Sequence, residues 1–305
     1  MTEEQRLFLG CVVIPAVMGL GAGGVCRVLL RKGEVLQQML CAMVVVGALF
    51  FVYWWARGWP SFPPVRALQW LFPVEVVALF ATFVGLLFRW LRWYATVVAV
   101  AFVVVTQFFS GGKWLLDVSV LWVALLCALG WGISTRMVES ISPAWLSLLV
   151  LSGIFGSLAV VLLLTKSLLL AQLSGGFACA LLGLGVSRHA VQKWTLIPIV
   201  CTGVFLCVHA FVYSGMQWVE LLLMAFFGLP MLLGRVSKRF LSSVPLSYQR
   251  AGCAVLAPMV ALGYVFLREK PWKSDLYSVD PQSVHLLFSK AFQNPAWTVQ
   301  ADEIH

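Results

Sequence analysis

The chain of 305 residues is 61% hydrophobic and only 11% charged, with a formal charge of +9 and a mean hydropathy of +0.94. A soluble domain carries roughly 25% charged residues, so this composition excludes a water-exposed globular fold and requires lipid as the main solvent. The positive balance does not point to nucleic acid, because the basic residues stand singly or in small groups between apolar runs rather than on one basic face.

The N-terminal MTEEQR carries two acids against one arginine, where a signal peptide needs a basic start. The apolar run behind it therefore reads as a first transmembrane helix. A span needs about 20 apolar residues to cross a hydrocarbon core of roughly 30 Å. In chain order the candidates are 8–26, 36–56, 71–88, 94–110, 115–134, 144–164, 168–186, 195–213, 217–234 and 251–267. The expected fold is thus all-α, a polytopic transmembrane bundle of about ten spans over residues 1–267. Only Thr165, Lys166 and Ser167 separate the sixth and seventh candidates. One helix through both would overshoot the bilayer, so a tight hairpin is expected there.

Short loops that carry Lys and Arg stay on the cytoplasmic side. Twelve basic residues fall in odd-numbered loops (Arg27, Arg31, Lys32, Arg89, Arg92, Arg136, Arg188, Lys193, Arg235, Lys238, Arg239, Arg250), and four in even-numbered ones (Arg57, Arg66, Lys113, Lys166). Odd loops are therefore expected inside, with both termini extracytoplasmic. Small residues recur at four-residue intervals, Gly19 and Gly23 in the first span and Gly175, Cys179 and Gly183 in the seventh. Such ridges let helix backbones approach closely in lipid, and they read here as packing within the bundle.

Residues 268–305 form a polar tail. Asp280-Pro281 is a helix start, Val284, Leu287, Phe288, Ala291 and Phe292 repeat at helical spacing, and Asn294-Pro295 stops the run. A short amphipathic helix over about 281–293 is expected, resting on the membrane surface or on its own bundle, with docking to a membrane-protein partner or service as a lid as the functional alternative.

No phosphate loop, zinc-protease helix, nucleophile elbow or Cys/His cluster is present. The eight cysteines all lie in apolar runs without metal-ligand spacing. No catalytic residue, metal or cofactor is assigned, and lipid is the one certain partner class. Chemistry must come from polar residues within spans. Glu75 stands in the apolar run 70–88. With the helix starting near Leu71 and Pro73 in its first turn, the acid falls where the helix dipole favours an anion. A start at Ala67 would instead carry it about 12 Å along the helix. The first of these is the expected arrangement. Asp117 and Glu220 follow two similar stretches, SGGKWLL and SGMQWV, and read as helix-start residues too. With His209, Gln107 and Gln172, these acids all lie toward the outer half of the bundle. They form the candidate solute-binding set, a polar vestibule if their helices face one another.

The stretches RGWPSFPPVRALQWLF (57–72) and SLLLAQLSGGFACALLGLG (167–185) resemble segments of uncharacterised multi-span proteins from Gram-negative bacteria. That resemblance implies an inner-membrane location and no activity. In span number and length the chain is similar to the drug/metabolite transporter superfamily, but it shows no motif of that family. Three functions stand open. A small-solute permease would use the outer polar set, a structural subunit would dock through the tail, and a membrane enzyme would need a catalytic set that the sequence does not display.

Overall fold

The computed structural model describes residues 3–29, 34–61, 64, 67–88, 90–109, 118–187, 196–232 and 245–269. Every regular element among them is helical. In chain order they are α1 (Glu3–Phe8), a π-helical turn (Leu9–Val13), α2 (Ile14–Leu29), α3 (Glu34–Arg57), a 3-10 turn (Ala67–Trp70), α4 (Leu71–Leu87), α5 (Arg92–Phe109) and α6 (Val118–Glu139). There follow α7 (Ala144–Leu164), α8 (Leu168–Val186), α9 (Leu196–Tyr213), α10 (Trp218–Ala225), a 3-10 turn (Leu229–Leu232) and α11 (Leu246–Glu269). Residues 1–265 form one compact unit. Of the second, Phe266–His305, only the last helical turn is described, where Arg268 pairs with Glu269 at 2.8 Å. The expected helix at 281–293 lies outside the described residues.

Seven of these helices are long and apolar enough to cross a membrane, and two shorter apolar helices cover Leu9–Val25 and Tyr94–Thr106. This fits an integral membrane protein. The ninth candidate span, 217–234, differs from expectation. Its helix stops at Ala225, and the chain continues through Phe226, Phe227 and Gly228 into the 3-10 turn at Leu229. Pro230 has no N–H to donate and so cannot rebuild the helical ladder across this point.

The hairpin between the sixth and seventh candidates is present. α7 ends at Leu164 and α8 begins at Leu168. Lys166 turns the corner in the left-handed region, φ 66°, a conformation that disfavours a side chain with a Cβ. Both helices are apolar all round, as buried membrane helices are, and two serines join them reciprocally. Ser152 Oγ donates to the Ala178 carbonyl and Ser174 Oγ donates to the Phe155 carbonyl, each at 2.8 Å. α8 also lies along α2 and α3. Elsewhere α4 packs on α5 and α9, and α6 packs on α9 and α10.

The small-residue ridges serve packing within the bundle. A Cβ on Gly19 would collide with the Ala180 carbonyl of α8, and one on Gly183 would collide with the Ala16 carbonyl of α2. Gly21, one turn-face away, would meet nothing within 4 Å. Gly19→Leu should therefore part α2 from α8 and cost about 1–3 kcal/mol, the usual penalty of overpacking, whereas Gly21→Leu should leave stability within error. Thermal unfolding of the two variants in detergent checks this; equal effects would place the contact elsewhere.

Candidate functional site

Glu75 is fully buried, with no measurable exposure. It lies beyond the first turn of α4, and the 3-10 turn from Ala67 extends the apolar segment to Ala67–Leu87. Eight residues separate Ala67 from Glu75, about 12 Å along a helix. The expectation that Glu75 sits in an N-terminal turn is corrected. Pro73 lies in the first turn of α4, as expected, but the apolar segment starts one turn earlier, so the acid stands well inside it. Its Oε1 is 2.6 Å from Thr202 Oγ1 on α9, and its Oε2 has no hydrogen-bond partner. No ion pair to Glu75 occurs among the described residues. A charge at the centre of a spanning helix costs about 3 kcal/mol or more unless it is paired.

Thr202 and His209 are seven residues apart on α9, two helical turns, and so share one stripe of that helix. His209 is 2% exposed. Its ring stacks on Phe205, with centroids 4.0 Å apart and planes 20° apart, and Tyr213 leans on it at 5.3 Å. Nδ1 lies 3.2 Å from the Phe205 carbonyl. The Ala67 main chain approaches the ring as well, but Nε2 makes no hydrogen bond of good geometry. Ala67 lies near His209 and Glu75 touches Thr202, so advancing along one segment means going back along the other. α4 and α9 are antiparallel, and their interface carries a polar stripe inside an apolar bundle.

Glu220 is also fully buried, but it serves its own helix. Gln217 is the N-cap of α10, and its side chain and that of Glu220 exchange bonds with each other's backbone in a capping box. Glu220 Oε2 accepts from the Gln217 N–H at 3.0 Å. Tyr264 Oη on α11 donates to Gln217 Oε1, also at 3.0 Å. The helix-start reading of Glu220 therefore describes this residue, though it stands in the protein interior rather than in an open mouth. Gln172 is half-buried on α8, whose main neighbours are α7, α2 and α3. The side chain of Gln107, on α5, and all of Asp117 lie outside the described residues. Of the six candidates, Glu75 and His209 thus meet the same helix interface.

Comparison with protein-family models, with curated proteins and with solved structures returns no match. The site must be read from its own geometry.

Two polar residues that the sequence reading did not single out prove central. One is Thr202, whose partner is 127 positions away. The other is Ser134 on α6, at the break after α10. Its fully buried hydroxyl donates to the Ala225 carbonyl at 3.1 Å and accepts from the Gly228 N–H at 3.0 Å. These are backbone groups that the interrupted helix leaves open. Close approach makes this possible: a Cβ on Gly228 would lie 2.7 Å from Ser134 Cα, and one on Gly130 would lie 3.0 Å from Ala225 Cβ. Trp131 seals the same place, edge-on to Phe227 and tilted against Phe155, with its Nε1 donating to Cys207 Sγ at 3.4 Å. Irregular backbone at membrane depth is tolerated where protein covers it. Ser134→Ala strips both groups of their partner and should destabilise the protein by about 1–3 kcal/mol. Ser134→Cys, nearly isosteric but a weaker hydrogen-bonding group, should fall between; if the alanine variant melts with the wild type, the serine is not the cap of the break.

Proposed function

We propose that this protein is a small-solute permease of the bacterial inner membrane, with α4 and α9 bordering the path of the solute. One observation carries the reading: Glu75 is buried in a spanning helix with no counter-cation among the described residues and one carboxyl oxygen unpartnered. An acid so placed weakens a purely structural bundle, and a hydrophobic residue of similar volume would stabilise it. Its presence makes sense as a group that something else must meet. Intramembrane ionisable residues in general mark solute and ion pathways, and the broken helix after α10 has the form that transporters use near their sites. An acid invites cationic or protonated solutes. Glu75 and His209 are both buried, which on this reading corresponds to an occluded state.

A second reading has its own observation. The α2–α7–α8 part is packed through glycines and reciprocal serines, as befits a scaffold subunit of a larger membrane assembly. The two are separated by thermal unfolding of the purified protein against a panel of small cationic, neutral and anionic solutes. A ligand at a hundredfold excess over its Kd stabilises by about 2.7 kcal/mol. Stabilisation by a chemically coherent group of solutes, lost in Glu75→Ala, is the expected result. No response to any solute, together with a constant stoichiometric membrane partner in the purified material, would overturn the permease reading.

A further inference from the structure

The hydrogens around Thr202 can be counted. A threonine hydroxyl owns one proton and two lone pairs. Thr202 Oγ1 nevertheless lies within hydrogen-bond distance of two oxygens, the Pro198 carbonyl at 2.8 Å and Glu75 Oε1 at 2.6 Å. A carbonyl oxygen brings no proton. An ionised carboxylate brings none either, so the single hydroxyl proton would then have to be shared between two short contacts, and neither would be a full hydrogen bond. If Glu75 is a neutral carboxylic acid, both contacts are hydrogen bonds: Oε1–H donates to Thr202 Oγ1, and Oγ1–H donates back to the Pro198 carbonyl, the ordinary i−4 bond of a helical threonine. The chain then runs in one direction, and each bond polarises the next.

The surroundings agree with the count. Glu75 has no measurable exposure and Oε2 has no partner, which a neutral carbonyl oxygen tolerates far better than half of a carboxylate. The helices packed on α4 are α3, α5 and α9. Among the described residues a titratable neighbour of Glu75 is the Cys201 thiol of α9, which is no cation. His209 lies two turns further along α9, and Tyr53 of α3 packs against Phe72 of α4 with centroids 4.6 Å apart. No Lys or Arg from these helices pairs with the acid among the described residues. A metal ion is a poor alternative for neutralising it. Hard cations such as Mg²⁺ or Ca²⁺ want about six oxygen ligands, and among the described residues the oxygens in the hydrogen-bonded chain at Glu75 are one threonine hydroxyl and, behind it, a carbonyl already engaged by that hydroxyl.

We infer that Glu75 is a proton-binding site, with Thr202 as its positioning residue, and that a proton is the ion this protein holds in its occluded state. The role as coupling ion rests on the permease reading; the site itself does not.

Infrared difference spectroscopy of the purified full-length protein tests it. The wild type at neutral pH should show the carbonyl stretch of a protonated carboxylic acid, shifted on transfer to D2O and absent from Glu75→Gln. Thr202→Val removes the acceptor and should move the band to the frequency of a more weakly hydrogen-bonded acid, while Thr202→Ser should restore it. Sodium and calcium should not change the melting temperature. Absence of the band from the wild type, or a band indifferent to Thr202→Val, overturns the proposal, and the threonine pair decides the matter should Glu75→Gln fail to fold. A band without any solute response, in material that holds a constant stoichiometric membrane partner, leaves the proton site standing and removes the permease. Solute stabilisation without the band does the reverse.

Discussion

The hydrocarbon core of a membrane donates and accepts no hydrogen bonds, and the arrangement of polar groups in this protein follows from that constraint. A continuous helix meets it for its own backbone. Serine and threonine hydroxyls meet it for themselves by bonding back to a carbonyl three or four residues earlier, as Thr82 does to Ala78 and Thr135 does to Trp131. What remains are the places where helical order or side-chain chemistry departs from this scheme, and there the protein supplies a partner from another helix. Ser134 completes the break after α10, and Thr202 meets Glu75. Both partners are small hydroxyl residues, which allow the helices to come close enough for a bond of 2.6–3.1 Å.

Close approach is the second half of the same argument. Helices in a membrane gain nothing by hiding apolar surface from lipid, so they associate through packing and a few bonds. On the α2–α8 contact the packing is glycine against main-chain carbonyl, and on the α7–α8 contact it is serine against carbonyl. On α6 the pair Gly130 and Ser134, one turn apart, does both at once: the glycine admits Ala225 and the serine bonds its carbonyl.

This explains which features were legible in the sequence. Apolar runs of span length are written in composition, so the helices and the Thr165–Ser167 corner could be read directly. Glu220 could be read as well, because its capping partner is three residues away. Glu75 could not, since two facts decide its state and neither is local. The apolar segment begins at Ala67 through a 3-10 turn rather than at Leu71, and the residue facing the acid is Thr202, in a run that by itself is unremarkable apolar helix. The break after α10 did leave a trace. Gly228 and Pro230 stand inside the ninth apolar run, and a glycine next to a missing N–H is a reason to doubt helical continuity. Hydropathy outweighed that trace because averaging over a window is blind to backbone hydrogen bonds.

The two kinds of contact are not spread evenly. Reciprocal serines and glycine ridges tie α2, α7 and α8, where the helices run unbroken. The acid, the buried histidine and the interrupted helix all belong to the part made of α4, α6, α9 and α10. Separating α7 from α8 would strip two hydroxyl–carbonyl bonds and open glycine-sized gaps that lipid cannot fill. Separating α4 from α9 would disturb one short hydrogen-bonded chain between Glu75, Thr202 and Pro198, and would bring water to an acid and an imidazole that each have an unused hydrogen-bonding atom. Water would hydrate freed hydroxyls in either case, but only between α4 and α9 would it also reach two polar atoms that have no partner to lose. Of these two interfaces, α4–α9 is therefore the one where water offsets more of a separation, and the polar stripe lies there.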